Sequence, residues 1–265
     1  MARRDRVVTL LGVAACVPIA IYLALPSLII IPMALTKGAL IQFPPEWISV
    51  HAFRDYLTDS QWMHSTLLSF EVAIAAVLLG CFAGGSAAMA LHARRFWGKG
   101  LLTGVILAPI VVPLIVIALG EYLLLARLHL LGSWLGIALV HATLVTPYVF
   151  VSVQTSLIAG LNPALVRSAR SLGAGRVSVF RHVYWPAIKP GILSGAMLGF
   201  AASFDEVVIA LFLQGPDSVT LPVRMFTAIQ FELTPKVAAA ASLFILLAML
   251  GLLAQTLMTL RRTVR

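Results

Sequence analysis

The sequence predicts an all-α integral membrane protein with six transmembrane helices, and three observations carry that expectation. Apolar residues fill 60% of its 265 positions and charged residues only 11%, where soluble domains carry about a quarter charged. Six apolar runs come close to the ~20 residues that cross ~30 Å of hydrocarbon, or exceed them. The lysines and arginines fall in the segments between those runs, and they alternate in density from one segment to the next.

The runs follow one another along a single domain, residues 1–265. A basic head, Arg3, Arg4 and Arg6, precedes span 1, about 7–35. Val13-Ala14-Ala15-Cys16 resembles a lipoprotein cleavage box. The apolar run continues well past Cys16, so the segment reads as an uncleaved span rather than a signal peptide. A polar interlude with Pro44-Pro45, Trp47 and Trp62 follows, its tryptophans suited to a membrane boundary. Span 2, about 65–91, carries Gly80, Gly84 and Gly85-Ser86, a small-residue face open to close helix approach. After a basic connector (Arg94, Arg95, Lys99) comes span 3, about 101–125, interrupted by Pro109 and Pro113, which neighbouring helices can accommodate. A tight turn at 127–133 leads to span 4, about 134–157. Span 5, about 191–213, places Gly191, Gly195, Gly199 and Ser203 at a spacing of four, one continuous groove for helix packing. A loop with a short helix near 224–231 precedes span 6, about 237–260, and a basic tail.

Six spans put both termini on one side, and fourteen of the nineteen basic residues lie on that side. The positive-inside rule makes that side, with both termini, cytoplasmic. The net charge of +9 is therefore a topology signal; nucleic-acid binding would need a folded basic surface. Cys16 and Cys81 both fall in apolar runs, so no disulfide framework is implied. The histidines lack metal-ligand spacing, and no metal site is expected. No glycine-rich phosphate loop with its Lys-Ser/Thr is present, so this chain is not expected to hydrolyse ATP.

The least oily stretch is the segment 160–190. It holds Arg167, Arg170, Arg176, Arg181 and Lys189 and no acid. Leu165, Ala169 and Leu172 stand at helical spacing. Gly173 sits where a helix C-terminus takes positive φ, and Pro186 and Pro190 are expected to stop a second short helix, Arg176 to Trp185. The reading is a rigid basic elbow: helix, glycine corner, helix, proline stop.

This elbow resembles the cytoplasmic coupling loop of ABC-importer permeases. That pattern runs Glu-Ala-Ala, three residues, Gly, nine residues, Ile, one residue, Leu-Pro. Here Arg167-Ser168-Ala169 stand at the Glu-Ala-Ala positions, Leu172-Gly173-Ala174 bring the glycine, Val183 replaces Ile, and Trp185-Pro186 replace Leu-Pro. The glycine and proline match; the opening Glu and the Leu do not.

A second stretch carries chemistry. Span 5 ends Ser203-Phe204-Asp205-Glu206, then an apolar tail, Gly215-Pro216 and Thr220-Leu221-Pro222-Val223-Arg224. A charge at mid-bilayer costs at least ~2.5 kcal/mol, so adjacent acids in an apolar helix should face a cavity or a partner. They point about 100° apart on a helix. At 1.5 Å per residue, Asp205 lies roughly 22 Å from the start of span 5, and Glu71 roughly 9 Å from the far end of span 2. Both fall in the outer half of the membrane. An acidic outer vestibule favours a cationic substrate. The candidate path residues are Glu71, Asp205, Glu206 and, in span 4, Tyr148; the alternative is that the acids pair with a basic residue on a neighbouring helix or subunit.

That segment strongly resembles the second inner-membrane permease of spermidine/putrescine-type ABC importers, and the resemblance covers essentially the whole chain. It implies the type I importer permease fold, the bacterial inner membrane, and a heterodimer with a sister permease. It also implies two ATPase subunits below, which bind ATP and Mg while this chain holds no cofactor, and a periplasmic binding protein that delivers substrate. The implied cargo is a polyamine such as putrescine or spermidine. Related permeases import 4-aminobutyrate, opines and similar solutes. An integral membrane enzyme is the reading from another class, and needs a nucleophile, base or metal cluster that the sequence does not offer.

Overall fold

The structure, a computed structural model, describes residues 2–38, 41–45, 47–93, 96–232 and 234–263, and their side chains except those of 2–15, 93, 251–252 and 254–263. The side chains of the basic head and tail, with Arg94 and Arg95, lie outside that description. In order the helices are α1 (Ala2–Ala34), α2 (His51–Thr58), α3 (Ser60–Ala93), α4 (Lys99–Val111), α5 (Leu114–Arg127), α6 (Trp134–Gly160), α7 (Pro163–Ser171), α8 (Arg176–Val179), α9 (Trp185–Phe204), α10 (Val208–Leu213), α11 (Leu221–Phe231) and α12 (Pro235–Thr263). A π turn over Phe180–Tyr184 joins α8 to α9. Among the described residues, four helices are long and apolar enough to cross a membrane, or five when the bent pair α4 and α5 counts as one span. The helix at the sixth expected span, α12, has a shorter described apolar stretch, Pro235–Leu250.

The chain divides into two compact units, Met1–Met63 with Met225–Arg265, and His64–Arg224. In the first, α12 packs along α1 and against α2. Its start is a run of small residues, with Val237, Ala238, Ala239 and Ala240 all buried, and the Ser242 hydroxyl donates to the Ile30 carbonyl at 3.3 Å. Asp59 Oδ1 accepts from the backbone N–H of Gln61 at 2.9 Å and of Trp62 at 3.3 Å, as an N-cap does. Its Oδ2 accepts from Lys236 Nζ at 2.7 Å. The Lys236 ammonium holds the Asp59 carboxyl below its ordinary value against the opposing effect of burial.

In the second unit α6 is the central helix. Alongside α9 it forms the most extensive helix pair, because α9 presents glycine every fourth residue. A Cβ at Gly191 would meet the Ser152 carbonyl at 2.6 Å, one at Gly195 would meet Val149 Cα at 2.6 Å, and one at Gly199 would run into the Val145 side chain. On α3, Gly80 and Gly84 do the same against Val145 and the Thr146 carbonyl. Val145 thus fits between two glycines from two helices. Close backbone approach of this kind replaces the hydrophobic drive that lipid cannot supply. A second cluster joins Leu68 and Val72 of α3, Ala118 and Leu125 of α5, Ile137 and Leu144 of α6, and Ile209 and Leu213 of α10.

Three expected features of the chain path differ. Span 3 is not one helix: α4 and α5 meet at a bend of 106°. The cause is local. Val112 precedes a proline and is driven to extended backbone, φ −74° and ψ 133°, and Pro113 follows at ψ 133°. Span 5 does not run unbroken to residue 213. Helix α9 stops at Phe204, Asp205 to Val207 leave the helical ladder, and α10 restarts at Val208. Pro186 and Pro190 stop nothing. Arg176–Phe204 is one apolar helical stretch, with Pro186 in the first turn of α9, where its missing N–H costs little. The π turn just before it, where the Trp185 N–H reaches back to the Phe180 carbonyl, passes the chain into α9.

Candidate functional site

The elbow is built from its caps inwards. Asn162 Oδ1 accepts from the Ala164 N–H at 2.9 Å, and Pro163 takes the first helical position of α7. At the other end Gly173 has φ +83°. The Ala174 N–H reaches the Ala169 carbonyl and the Gly173 N–H the Arg170 carbonyl, both at 3.0 Å, the pair of bonds that defines a Schellman cap. Arg167, Ser168 and Ala169 lie on α7, none of whose side chains is buried. Leu172 is 88% exposed and Val177 79%, and a Cβ on Gly173 would have no protein atom within 4 Å. Val183 is half-buried in the π turn and Pro186 is exposed. The corner is therefore rigid in its backbone and open on its outer face, with exposed apolar side chains among exposed arginines.

The second site forms where two helices break next to each other. A cleft of about 650 Å3 lies between the α4–α5 bend and the α9–α10 break. Pro109, Ile110, Val112 and Leu114 line it on one side, Leu144 and Tyr148 of α6, Ala201, Ala202 and Asp205 to Val208 on the other. Three of the four candidate path residues, Tyr148, Asp205 and Glu206, meet here; Glu71 is exposed on α3 and does not line the cleft. A neighbouring hollow of about 430 Å3 on the α4–α5 bend holds Glu121.

The two adjacent acids are in different states. Asp205 is exposed. Glu206 is 6% exposed and fully engaged. Its Oε1 accepts from the Ile209 N–H at 2.8 Å and its Oε2 from the Ala210 N–H at 2.9 Å. These are orphan donors at the start of α10, which an apolar surrounding would otherwise leave unpaired. His141 of α6, 1% exposed, turns Nε2 towards Glu206 Oε2 at 3.5 Å, a close polar contact rather than a hydrogen bond. Its Nδ1 hydrogen-bonds Ser203 Oγ at 2.9 Å. Ser203 is the last member of the glycine stripe, so the groove that packs α9 on α6 ends in a polar lock.

The tail after α10 is tied down equally tightly. The Ser218 hydroxyl donates to the Gly132 carbonyl at 2.8 Å and accepts from the Gly215 N–H at 2.7 Å. The Leu221 N–H donates to Ser69 Oγ at 2.8 Å, and Arg224 Nε to Ser65 Oγ at 2.7 Å. Among the described residues no three His, Cys, Asp or Glu side chains converge as a metal site would require.

Residues 76–264 match the family model described as the binding-protein-dependent transport system inner membrane component. The chain belongs to that family. It is a membrane permease subunit of an importer, not an enzyme. Spermidine/putrescine transport system permease protein PotC of Haemophilus influenzae is 30% identical over 86% of this chain and 88% of its own. Putrescine transport system permease protein PotI of Escherichia coli K12 is 32% identical over 84% and 82%. Among solved structures, a bacterial ABC transporter involved in the import of the acidic polysaccharide alginate superposes with a TM-score of 0.71 at 18% identity, over 96% of this chain and 97% of that one; this likeness shows the fold. The permease acts with a partner ATPase and a binding protein, as its family implies.

The sequence pointed to the acids but not to their division. Adjacent positions in a continuous helix gave no reason to prefer one acid over the other. The deciding signal was the restart of α10: a helix resuming in an apolar run needs an acceptor at its first turn, and Glu206 stands three residues before Ile209. Pro113 carried the other missed signal, since the residue before a proline is pushed out of the helical region.

Proposed function

We propose that this permease is one half of a heterodimeric, ATP-driven importer that carries a small cationic amine of the polyamine class across the bacterial inner membrane. The observation that carries the reading is the cleft at the α9–α10 break. It offers one exposed carboxylate, Asp205, beside the Tyr148 ring, with apolar walls from Pro109 to Leu114. An ammonium group pairs with the carboxylate and the ring face, and methylenes lie along the walls. The likeness to polyamine permeases over most of the chain supports the same cargo.

In this reading the chain crosses the membrane six times with both termini cytoplasmic. A sister permease completes the path, and two ATPase subunits, which hold ATP and Mg, dock on the elbow 160–190. A periplasmic protein delivers substrate. Arg167, Ser168, Ala169, Leu172, Gly173, Ala174, Val183 and Pro186 form the coupling surface. Closure of the ATPases draws the elbows together, and the spans reorient around the path. The exposed Leu172 and Val177 are the apolar contacts such docking covers. Arg167 at the usual Glu position inverts the charge presented there.

The test is ATPase activity of the reconstituted complex with its binding protein, against putrescine, spermidine, 4-aminobutyrate and an opine. Stimulation by a polyamine, lost in Asp205→Asn, is expected. Stimulation only by an amino acid or opine overturns the cargo and keeps the machine; no associated ATPase activity overturns the machine.

A further inference from the structure

We infer that His141 and Ser203 are positioning residues for substrate: they hold the Glu206 carboxylate on the start of α10, and this fixes the break that turns Asp205 to the cleft. The proposal rests on the reading of Asp205 as the substrate-facing acid.

No proline or glycine lies between Ser203 and Val208, so backbone sterics do not force the helix to end at Phe204. Something must stabilise the interrupted path over the straight helix that this apolar run would otherwise form. The interruption removes backbone hydrogen bonds and exposes the first N–H groups of α10, an expensive state in an apolar environment. Glu206 answers two of these, one with each oxygen. A carboxylate spent this way is itself buried, and an isolated buried charge is costly. His141 Nε2 supplies the partner at 3.5 Å. A carboxylate only accepts, so the His141 proton sits on Nε2. Ser203 holds the other ring nitrogen at 2.9 Å, which sets the ring plane. In a continuous helix Glu206 would stand about 100° from Asp205 and its oxygens would not reach the N–H groups of Ile209 and Ala210, already taken by the helical ladder.

The chain of contacts is therefore Ser203 to His141 to Glu206 to α10. Asp205 is the residue before Glu206, in the bridge region at φ −90° and ψ 0°. Removing His141 leaves Glu206 buried without its imidazole partner. The straight helix, with Glu206 released, then gains on the broken one, and Asp205 turns off the cleft. The effect belongs to substrate capture, so it appears in KM.

The experiment is a double-mutant cycle on the reconstituted complex with its binding protein, with KM and kcat for putrescine-stimulated ATPase as readout. His141→Leu removes both ring contacts. His141→Gln keeps an N–H towards Glu206 and an acceptor towards Ser203. Expected is a rise in KM of about tenfold for Asp205→Asn and for His141→Leu, the order of one lost charge-assisted contact. His141→Gln should stay near wild type, and His141→Leu should add nothing once Asp205 is Asn. A normal KM in Asp205→Asn sinks the reading of Asp205. A raised KM there with a normal KM in an assembled His141→Leu complex, or additive effects in the double variant, sinks the positioning role alone. Should His141→Leu fail to assemble, Ser203→Ala takes its place in the cycle. There, labelling of Asp205→Cys by a cationic thiol reagent gives a second readout. Slower labelling in the Ser203→Ala background is expected, and an unchanged rate overturns the proposal.

Discussion

Replacing Gly195 with alanine adds one methyl group where the backbones of α6 and α9 approach closely. The new Cβ would stand 2.6 Å from Val149 Cα, 3.2 Å from Ser152 Cβ and 3.3 Å from the Tyr148 carbonyl. Two of these three are backbone atoms, so no rotamer change relieves the overlap, and the helices must separate by about 1 Å to restore contact near 3.5–4 Å. Overpacking of this kind costs about 1–3 kcal/mol. Alanine returns up to ~1 kcal/mol through its helix propensity. The net expectation is a loss of about 1–2 kcal/mol, measured as a shift in reversible unfolding of the purified permease in mixed SDS micelles. Gly104, in α4, is the control: a Cβ there meets no atom within 4 Å, so Gly104→Ala keeps the propensity gain and is expected at or above wild-type stability. If Gly195→Ala matched Gly104→Ala, the glycine stripe would not be a packing device and the reasoning would be wrong.

Other perturbations probe separate elements. Gly173→Leu meets no neighbour among the described residues but must hold φ +83°, a strain of about 1–2 kcal/mol; it should cost about that much in the same unfolding assay and uncouple substrate-stimulated ATPase activity in the complex. Ser218→Ala strips the Gly215 N–H and the Gly132 carbonyl of their partner and is expected to cost about 1–3 kcal/mol in the same unfolding assay. Asp59 is held below its ordinary value of 3.8 chiefly by the hydrogen bond from Lys236. A depressed acid contributes stability above its unfolded value and loses it as pH falls through the folded one. The stability difference between wild type and Asp59→Asn should therefore be constant near neutrality, begin to shrink as pH falls through about 4, and vanish below the folded value; a difference that disappears between pH 7 and 5 would refute the assignment.

Much of the fold was legible because the bilayer restricts the choices. Apolar length located the helices, and the spacing of Gly191, Gly195 and Gly199 marked the face of α9 that lies on α6. Gly173 was readable as a left-handed cap from its position after Leu172 alone. What failed were the interruptions. Hydropathy averages over a window and stays high across Val112-Pro113 and across Asp205 to Val207, so span 5 looked continuous and span 3 looked like one span whose prolines its neighbours accommodate. The prolines misled in the opposite direction: Pro186 and Pro190 looked like stops, yet the first sits in the opening turn of α9, where a proline is tolerated. The Ser203–His141 bond was unreadable, since residues 62 apart in sequence meet only once α6 and α9 have packed.

The adjacent acids show why the interruption and the chemistry belong together. Read as a straight helix, Asp205-Glu206 is a double charge in an apolar span, each worth at least ~2.5 kcal/mol against insertion. The broken helix changes the balance. Glu206 receives two charge-assisted backbone bonds, each worth about 1.5–3 kcal/mol, and His141 stands within reach of the same carboxylate. Its burial is then offset by groups the break itself creates. Among the described residues Asp205 gains no such compensation, and it stays exposed on the cleft. One acid stabilises the break and the other stays exposed on the cleft, and the pair is cheaper together than either would be in an unbroken helix.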